Sequence, residues 1–191
     1  MKYVVGIGNP GKKYEFTRHN VGFRTLDTLA RINKLGWDAR PEWQAWIAQY
    51  AEDVLLAKPD TFVNRTETSL ATMPEADSND YLVVSDDVNL VFGKLRFRAA
   101  GSSGGHHGLE SVITALGSEN FPRLRIGVGG ERLPKDLAPY VLEKFSKTEE
   151  KELPKILEKA SEICESWIRG GPDAAWSCLS RLQSNKQGSE E

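Results

Sequence analysis

The chain has 191 residues, of which 39% are hydrophobic and 27% charged, and its formal net charge is −2. This length suggests one domain with a sizeable buried core. The sequence contains no apolar run of about 18 residues that could cross a membrane, and no apolar signal region at its start. We therefore expect a cytoplasmic protein without a membrane partner. Cys164 and Cys178 lie in helical sequence, which favours free thiols over a disulfide or a metal site.

The first twenty residues combine a strand, a tight turn and a polar triplet. Residues 3–7 form an apolar, β-branched run that predicts a strand, and Gly-Asn-Pro-Gly at 8–11 predicts a turn. Arg-His-Asn at 18–20 then leads into an amphipathic helix. Ligands bind to open α/β sheets where strand ends meet helix starts, and Asn9 and His19 lie at such a place. The glycines also fit a dinucleotide fingerprint by count, but Pro10 and the long gap before the helix leave no helix start for a pyrophosphate.

The middle of the chain predicts a hairpin over residues 43–50 and 54–57, followed by a weak helix over 66–73. Asn64 stands just before this helix, at the place of an N-cap. Residues 81–85 are typical of a buried strand, and Asp86 and Asp87 follow at its carboxyl end. Because strand side chains alternate, only one of the two aspartates can face a site on a given side.

The second half begins with a predicted strand at 94–98, whose basic residues share one face, and a glycine-rich loop at 101–108 that leads into a helix. A strand follows at 123–129, and residues 130–139 are expected to be loop. Ser146 and Glu149 form a capping box at the start of a long amphipathic helix, which Gly-Gly at 170–171 ends.

These elements predict an α/β fold: a single domain with a twisted mixed β-sheet flanked by α-helices. The domain is predicted to cover residues 1–182, and residues 183–191 are expected to be a disordered tail.

The charge distribution is uneven along the chain. Residues 88–136 contain seven basic and four acidic side chains, although the whole chain is slightly acidic. Such a region suits a local contact with phosphate better than tight non-specific binding to nucleic acid. Ordinary solvated strand faces remain the alternative explanation.

Several separate motifs, in the same order, resemble the bacterial peptidyl-tRNA hydrolase family. They are Gly-Asn-Pro-Gly at 8–11, Tyr14, Thr-Arg-His-Asn-Val-Gly-Phe at 17–23, and the segments 58–64, 83–87, 101–108 and 121–129. The resemblance covers nearly the whole chain. It implies hydrolysis of the ester between a peptide and the 3′ end of tRNA, which recycles tRNA from prematurely released peptidyl-tRNA.

The resemblance also assigns roles to residues. His19 would be the general base that activates water, and Asp86 would orient its ring and stabilise the imidazolium. Asn9 completes the catalytic set and, with Asn64, would hold the peptide backbone near the ester. A turn residue and a helix cap are the plain structural explanations for these two asparagines.

Contacts with the tRNA are also implied by the resemblance. Tyr14 and Phe62 match residues that contact the tRNA end, where aromatic rings stack on bases, although both would also suit a core. Arg98 and Arg125 match basic positions directed at phosphate. His107 would bind substrate where the family commonly has asparagine, and Val63 replaces a frequent methionine in the pocket wall.

We expect a monomer that acts on the acceptor end and phosphate backbone of peptidyl-tRNA, with no cofactor and no bound metal. Two alternatives remain. A non-catalytic RNA-binding relative, of the kind that serves in splicing, would be favoured by loss of His19, Asp86 or Asn9, and all three are present. A phosphate-binding enzyme that uses the loop at 101–108 is disfavoured because the loop lacks a Walker lysine.

Overall fold

The computed structural model describes residues 1–130 and 132–184 as a mixed β-sheet with helices on both faces. The strands are β1 (Lys2–Gly6), β2 (Asp38–Arg40), β3 (Ala45–Ala51), β4 (Val54–Pro59), β5 (Tyr81–Val91), β6 (Leu95–Arg98) and β7 (Arg123–Gly129). The helices are α1 (Val21–Ile32), α2 (Thr66–Leu70), α3 (His107–Leu116), α4 (Leu137–Val141) and α5 (Lys147–Ser184). The predicted α/β class and flanked mixed sheet are confirmed.

The seven strands lie in the order β2-β3-β4-β1-β5-β7-β6. Strands β4, β1, β5 and β7 are parallel to one another, and antiparallel strands complete both ends of the sheet. The carboxyl ends of the parallel strands therefore meet at one edge. Strand β1 ends at Gly6, which pairs with Val84, so the rest of β5 extends past the end of its neighbour.

Apolar side chains cover both faces of the sheet and form two cores. Helices α1 and α5 bury one face with residues such as Leu26, Leu157 and Trp167. Helices α2 and α3 bury the other face with residues such as Leu70 and Leu109. Within the described residues, no helix is long and apolar enough to span a membrane.

Strand β5 is longer than the sequence predicts, since it continues through Asp86 and Asp87 to Val91. Its pairing with β7 shifts register between Asp87 and Val91, as at a β-bulge. The glycines of β7 make this possible, because a Cβ at Gly127 would lie 2.1 Å from the Val91 carbonyl oxygen and one at Gly129 2.2 Å from that of Val88. Asp86 nevertheless lies beyond the end of β1, at the predicted edge of the sheet.

The predicted hairpin forms from β3 and β4, but β2 adds a short third strand that its exposed three-residue sequence did not indicate. Residues 130–139 are not all loop, because α4 begins at Leu137, where Asp136 accepts the N–H of Ala138. The side chain of Asn64 does not cap α2, whose N-cap position is Arg65.

The carboxyl-terminal helix follows the prediction more closely. Ser146 and Glu149 exchange hydrogen bonds as a capping box, and Gly170 and Gly171 depart from helical geometry where the sequence placed the break. The helix runs to Ser184, so its end overlaps the start of the predicted tail. Residues 185–191 of that tail lie outside the described residues.

A partly buried ion pair links the segment before α1 to the start of α5. Arg18 donates to both carboxylate oxygens of Glu149, at 2.7 and 2.9 Å, and to the Val128 carbonyl at 3.3 Å. Its guanidinium also lies over the rings of Tyr140 and Phe145. Since the side chains are only 9% and 17% exposed, removing one partner leaves the other charge poorly solvated. The pair therefore fixes the backbone next to His19.

We expect Glu149→Ala to lower the free energy of unfolding by about 1.5–3 kcal/mol, because Arg18 would lose its charged hydrogen-bond partner in a partly buried site. Burial raises the pKa of Glu149, but hydrogen bonds from Arg18 and Ser146 outweigh it and lower the pKa. The contribution of Glu149 is thus present above the ordinary glutamate pKa of about 4.3 and lost as pH falls through the lower folded value.

Urea titrations of wild type and Glu149→Ala at pH 7 and at acid pH test this expectation. Glu42→Ala is the control, because Glu42 pairs with Arg40 on the surface at 3.7 Å and should contribute at most about 1 kcal/mol. Equal losses of unfolding free energy in the two variants would show that the Arg18–Glu149 pair contributes no more than a surface ion pair.

Candidate active site

A cleft of about 440 Å³ opens at the carboxyl edge of the parallel strands. Eight of the nine predicted site residues line it, and only Arg98 does not. They are Asn9, Tyr14, His19, Phe62, Asn64, Asp86, His107 and Arg125. Helix α4, which the sequence analysis missed, supplies an apolar wall. A second cavity of about 390 Å³ lies between β6 and α5, but neither an imidazole nor a carboxylate lines it.

His19 and Asp86 form the centre of the cleft. The Nδ1 atom of His19 lies 2.7 Å from Oδ1 of Asp86, and both residues are buried. Since a carboxylate only accepts, Nδ1 carries the proton and Nε2 keeps its lone pair. The 3-10 turn Arg18–Asn20 presents His19 from the amino end of α1, and β5 presents Asp86. The predicted pairing of these two side chains is therefore present in the geometry.

His106 is the residue of this site that the sequence analysis did not assign. Its Nε2 lies 2.9 Å from the same oxygen of Asp86, and its Nδ1 accepts the N–H groups of Gly108 and Leu109 at 3.1 and 3.3 Å. The side chain is thus the N-cap of α3 and a second donor to Asp86. Its position just before a helix start was the available signal, although histidine is not among the favoured caps.

The protonation of the centre follows from these contacts. Burial lowers the pKa of His19, but the charge and hydrogen bond of Asp86 outweigh it, so the pKa is raised above the usual value of about 6.5. Burial raises the pKa of Asp86, but His19 and His106 hold it well below its usual range. Asp86 therefore stays ionised at neutral pH.

His19, Asp86 and His106 also bring three potential metal-ligand atoms within 4.8 Å of one another. A metal on Nε2 of a neutral imidazole requires the proton to reside on Nδ1. In His106, however, Nδ1 accepts two backbone N–H groups, which leaves no place for that proton. The donor pattern therefore favours a hydrogen-bonded triad over a metal centre.

Asn9 is held with its amide group directed into the cleft. Its backbone N–H donates to Oδ1 of Asn20 at 2.8 Å, and Nδ2 of Asn20 donates back to the Asn9 carbonyl at 2.9 Å. The side-chain oxygen of Asn9 accepts the N–H of Val63 at 2.9 Å. Its Nδ2 has no acceptor among the described residues, so it remains available as a donor in the cleft that His19 also lines.

The mouth of the cleft carries two aromatic rings, of which Phe62 is exposed and Tyr14 partly exposed. Tyr14 and Phe62 meet edge to face with their centroids 6.2 Å apart, and Phe62 is 50% exposed. Lys13 lies over the Tyr14 ring, with its ammonium 4.7 Å from the centroid. Asn64 is exposed on the same side. These groups are accessible to a ligand that enters from solvent.

His107 lies at the rim of the cleft and is far more exposed than His106. Its side chain is 78% exposed, and its Nδ1 lies 3.0 Å from Oε2 of Glu110, one turn along α3. The hydrogen bond from His107 lowers the pKa of Glu110. The Nε2 atom remains open to solvent or a ligand, so the predicted substrate contact is geometrically accessible.

The two arginines predicted to meet phosphate have different surroundings. Arg98 is exposed at the end of β6, and it forms no ion pair within residues 1–130 and 132–184. Arg125 donates to Asp87 at 3.4 Å and to the carbonyls of Ser102 and Ser103 at 2.8 and 3.1 Å. Arg125 therefore anchors the glycine-rich loop whatever else it contacts.

Because His19 and His106 both hydrogen-bond to Asp86, substitutions of Asp86 and of His106 should shift the pKa of His19 in opposite directions. In Asp86→Asn the neighbouring negative charge is lost, so the pKa of His19 should fall. In His106→Ser, serine can still cap α3, but Asp86 loses one hydrogen-bond donor and His19 becomes more exposed to solvent. Both changes favour the protonated ring, so the pKa of His19 should rise. Titration of the His19 ring by NMR measures both shifts. Asp87→Asn is the control. A shift of the His19 pKa in Asp87→Asn, with none in Asp86→Asn, would show that Asp87 and not Asp86 is the partner of His19.

Comparison with known proteins gives a consistent result. A model of the family described as peptidyl-tRNA hydrolase matches residues 3–188. Peptidyl-tRNA hydrolases of Desulfitobacterium hafniense and Aquifex aeolicus are 42% and 39% identical to the chain, over 95% of it in both cases and over 100% and 97% of the relatives. The crystal structure of peptidyl-tRNA hydrolase from Acinetobacter baumannii has a TM-score of 0.85 at 26% identity and 94% coverage of each chain.

The match of the family model extends over almost the whole sequence, and the relatives align over almost their whole length. Sequence, fold and cleft thus agree, and the chain belongs to the peptidyl-tRNA hydrolase family, whose reaction is hydrolysis of the ester bond of peptidyl-tRNA.

Proposed function

We propose that this protein hydrolyses the ester between a peptide and the 3′ end of tRNA by means of a water molecule that His19 activates. The observation that carries the proposal is the pairing of buried Asp86 with Nδ1 of His19, at 2.7 Å. This pairing leaves Nε2 of a neutral imidazole free inside a cleft. An activated ester needs only a water molecule and a base beside it, so no covalent nucleophile is required.

The proton path follows from the ring geometry. Nε2 of His19 takes a proton from water as the oxygen attacks the ester carbonyl, and Asp86 stabilises the imidazolium that forms. When the tetrahedral intermediate collapses, the C–O bond to the ribose breaks and the imidazolium returns the proton to the departing 3′ oxygen. The base is regenerated, and the products are a free peptide carboxyl group and a tRNA hydroxyl group.

Asn9 supplies a donor where negative charge develops. Its Oδ1 is occupied by the N–H of Val63, so Nδ2 faces the cleft in a fixed orientation. A preorganised donor near an ester oxygen stabilises the intermediate without reorganisation. Asn64 offers a second carboxamide at the entrance, suited to a peptide N–H or C=O group. Two neutral amides favour a peptide or N-blocked amino acid over a free ammonium group.

The RNA side of the substrate is matched by rings and charge. The half-exposed ring of Phe62 and the partly exposed ring of Tyr14 beside it can contact the bases of the acceptor end. On the β6–β7 ladder, Arg96 lies directly opposite Arg125 and Arg98 opposite Arg123. Arg96 and Arg98 are exposed, whereas Arg123 is buried and Arg125 pairs with Asp87. The exposed arginines of β6 therefore form a positively charged surface beside Arg125 that suits phosphate. This arrangement supports Arg98 and Arg125 as contacts for the tRNA backbone.

The non-catalytic alternative is not supported, because His19, Asp86 and Asn9 are all present and lie in one cleft. We propose that the protein acts as a monomer, since His19, Asp86 and Asn9 of a single chain already meet in one cleft. We also propose a cytoplasmic location, which its substrate and the buried free thiols of Cys164 and Cys178 support.

The assay that tests the function is release of tRNA from an N-blocked aminoacyl-tRNA. His19→Ala and His19→Asn should each lower turnover by about 10²–10⁴-fold, because neither side chain can take the proton from water. The asparagine variant can still donate to Asp86, so its fold should be retained, as thermal unfolding would show. Wild-type turnover in either variant would remove His19 from the mechanism.

The salt dependence of tRNA binding separates the two arginines. Arg98→Ala should reduce the slope of log affinity against log salt by about one and leave a minimal ester substrate unaffected. Arg125→Ala should do the same and also impair the minimal substrate, because it releases the carbonyls of Ser102 and Ser103. Equal losses on both substrates in Arg98→Ala would assign it a structural role instead.

The departure at position 107 predicts an effect on substrate binding. With Nδ1–H directed at Glu110, His107 presents Nε2 as an acceptor, whereas an asparagine also offers an N–H donor. His107→Asn should therefore remain active and change KM for N-blocked aminoacyl-tRNA by about 3- to 10-fold, as expected for one hydrogen bond, with kcat unchanged. Equal KM values of the two proteins would show that His107 does not contact substrate.

A further inference from the structure

The start of helix α2 takes its cap from another helix. Arg65 stands at the N-cap position without a side-chain hydrogen bond to the helix, among the residues that the structure describes. Instead, the hydroxyl of Ser111, in α3, accepts the N–H of Glu67 at 2.8 Å and donates to the Glu67 carboxylate. Ser111 is 6% exposed, so this contact is sheltered from solvent.

A residue close in sequence, Asn64, could cap the N–H of Glu67 in place of Ser111. Asn64 precedes Glu67 by three residues, and Asn-x-x-Glu has the spacing of a capping box. In that arrangement the 3-10 turn Val63–Arg65 would open at Asn64, because an N-cap residue has extended φ and ψ angles. The Asn64 side chain would then accept the N–H of Glu67, and the Glu67 carboxylate would reach back to Asn64. Ser111 occupies both of these groups of Glu67. The Asn64 carboxamide is thereby left in the cleft.

The packing around this contact keeps the two helices together. A Cβ at Gly108 would lie 2.6 Å from Cγ2 of Val63 and 2.7 Å from that of Ile7, so the first turn of α3 rests directly on the turn that carries Asn64. The hydroxyl of Thr66 donates to the Val63 carbonyl at 2.9 Å and closes that turn.

We propose that Ser111 and Glu67 are positioning residues for substrate binding: the cap from α3 holds the Asn64 side chain out of its local capping box and in the cleft. This inference rests on the proposed contact between Asn64 and the peptide. Its consequence is that loss of the Ser111 hydroxyl returns the N–H of Glu67 to Asn64 and removes that carboxamide from the substrate.

The kinetic test is a double-mutant cycle on N-blocked aminoacyl-tRNA. Asn64→Ala should raise KM by about 3- to 10-fold, as expected for one lost hydrogen bond, and leave kcat unchanged. Ser111→Ala should raise KM by a similar factor, yet have no further effect in the Asn64→Ala background. Ser111→Thr keeps a hydroxyl and should restore KM. An equal rise of KM in both backgrounds, or none in either, would overturn the proposal.

Ser69→Ala is the matched control. Ser69 lies in the same helix, is fully buried and donates to the Trp43 carbonyl at 2.8 Å, away from Asn64. Its loss should destabilise the protein without changing KM, whereas a rise of KM like that of Ser111→Ala would make general loosening of α2 the explanation.

Hydrogen exchange at the Glu67 amide gives a readout independent of activity. The amide should stay protected in Ser111→Ala, because Asn64 takes over the cap, and become unprotected in the Ser111→Ala/Asn64→Ala double variant. Loss of protection or of folding in Ser111→Ala alone would contradict the takeover. If the wild-type protein does not cleave the ester, the proposed function is wrong. The exchange measurements would still show whether Asn64 replaces Ser111 as the acceptor of the Glu67 N–H.

Discussion

A single carboxylate oxygen joins the segments that build the cleft. Oδ1 of Asp86 accepts from His19 at 2.7 Å and from His106 at 2.9 Å. His19 lies at the start of α1 and His106 at the start of α3, and these two helices cover opposite faces of the sheet. A buried carboxylate is costly unless its oxygens are hydrogen-bonded, so Asp86 favours only conformations in which both helix starts are in place. Assembly of the His19–Asp86 pair is thus coupled to assembly of the fold.

The glycine-rich loop depends on a second buried polar network. Arg123 donates to the carbonyls of Ser102, Glu119 and Phe121, and Arg125 holds the next part of the loop. Burial, together with the charge of Arg125, lowers the pKa of Arg123 to about 10. These arginines satisfy loop carbonyls that regular secondary structure does not. Glycines 104 and 105 adopt positive φ angles, which the absence of a Cβ permits, in the turn that leads to His106.

The sequence was sufficient for features that depend on local pattern. Strand β7, the capping box at Ser146 and the break at Gly170 follow from residues close together in the chain. The features it did not reveal depend on distant partners. Asn64 has the position of a cap, but a hydroxyl 44 residues away from Glu67 takes that role. The extension of β5 depends on glycines of β7, and the task of His106 depends on Asp86.

Two opposing effects determine the pKa of His19, and each comes from a different feature of the fold. Burial favours the neutral ring, and the negative charge of Asp86 favours the protonated ring. His106 moderates the second effect, because its donated hydrogen bond stabilises the same negative charge. Without it, Asp86 would hold the proton of His19 more strongly, and a smaller fraction of the His19 ring would be uncharged at neutral pH. His106 therefore allows Asp86 to orient His19 while limiting how far the carboxylate raises its pKa.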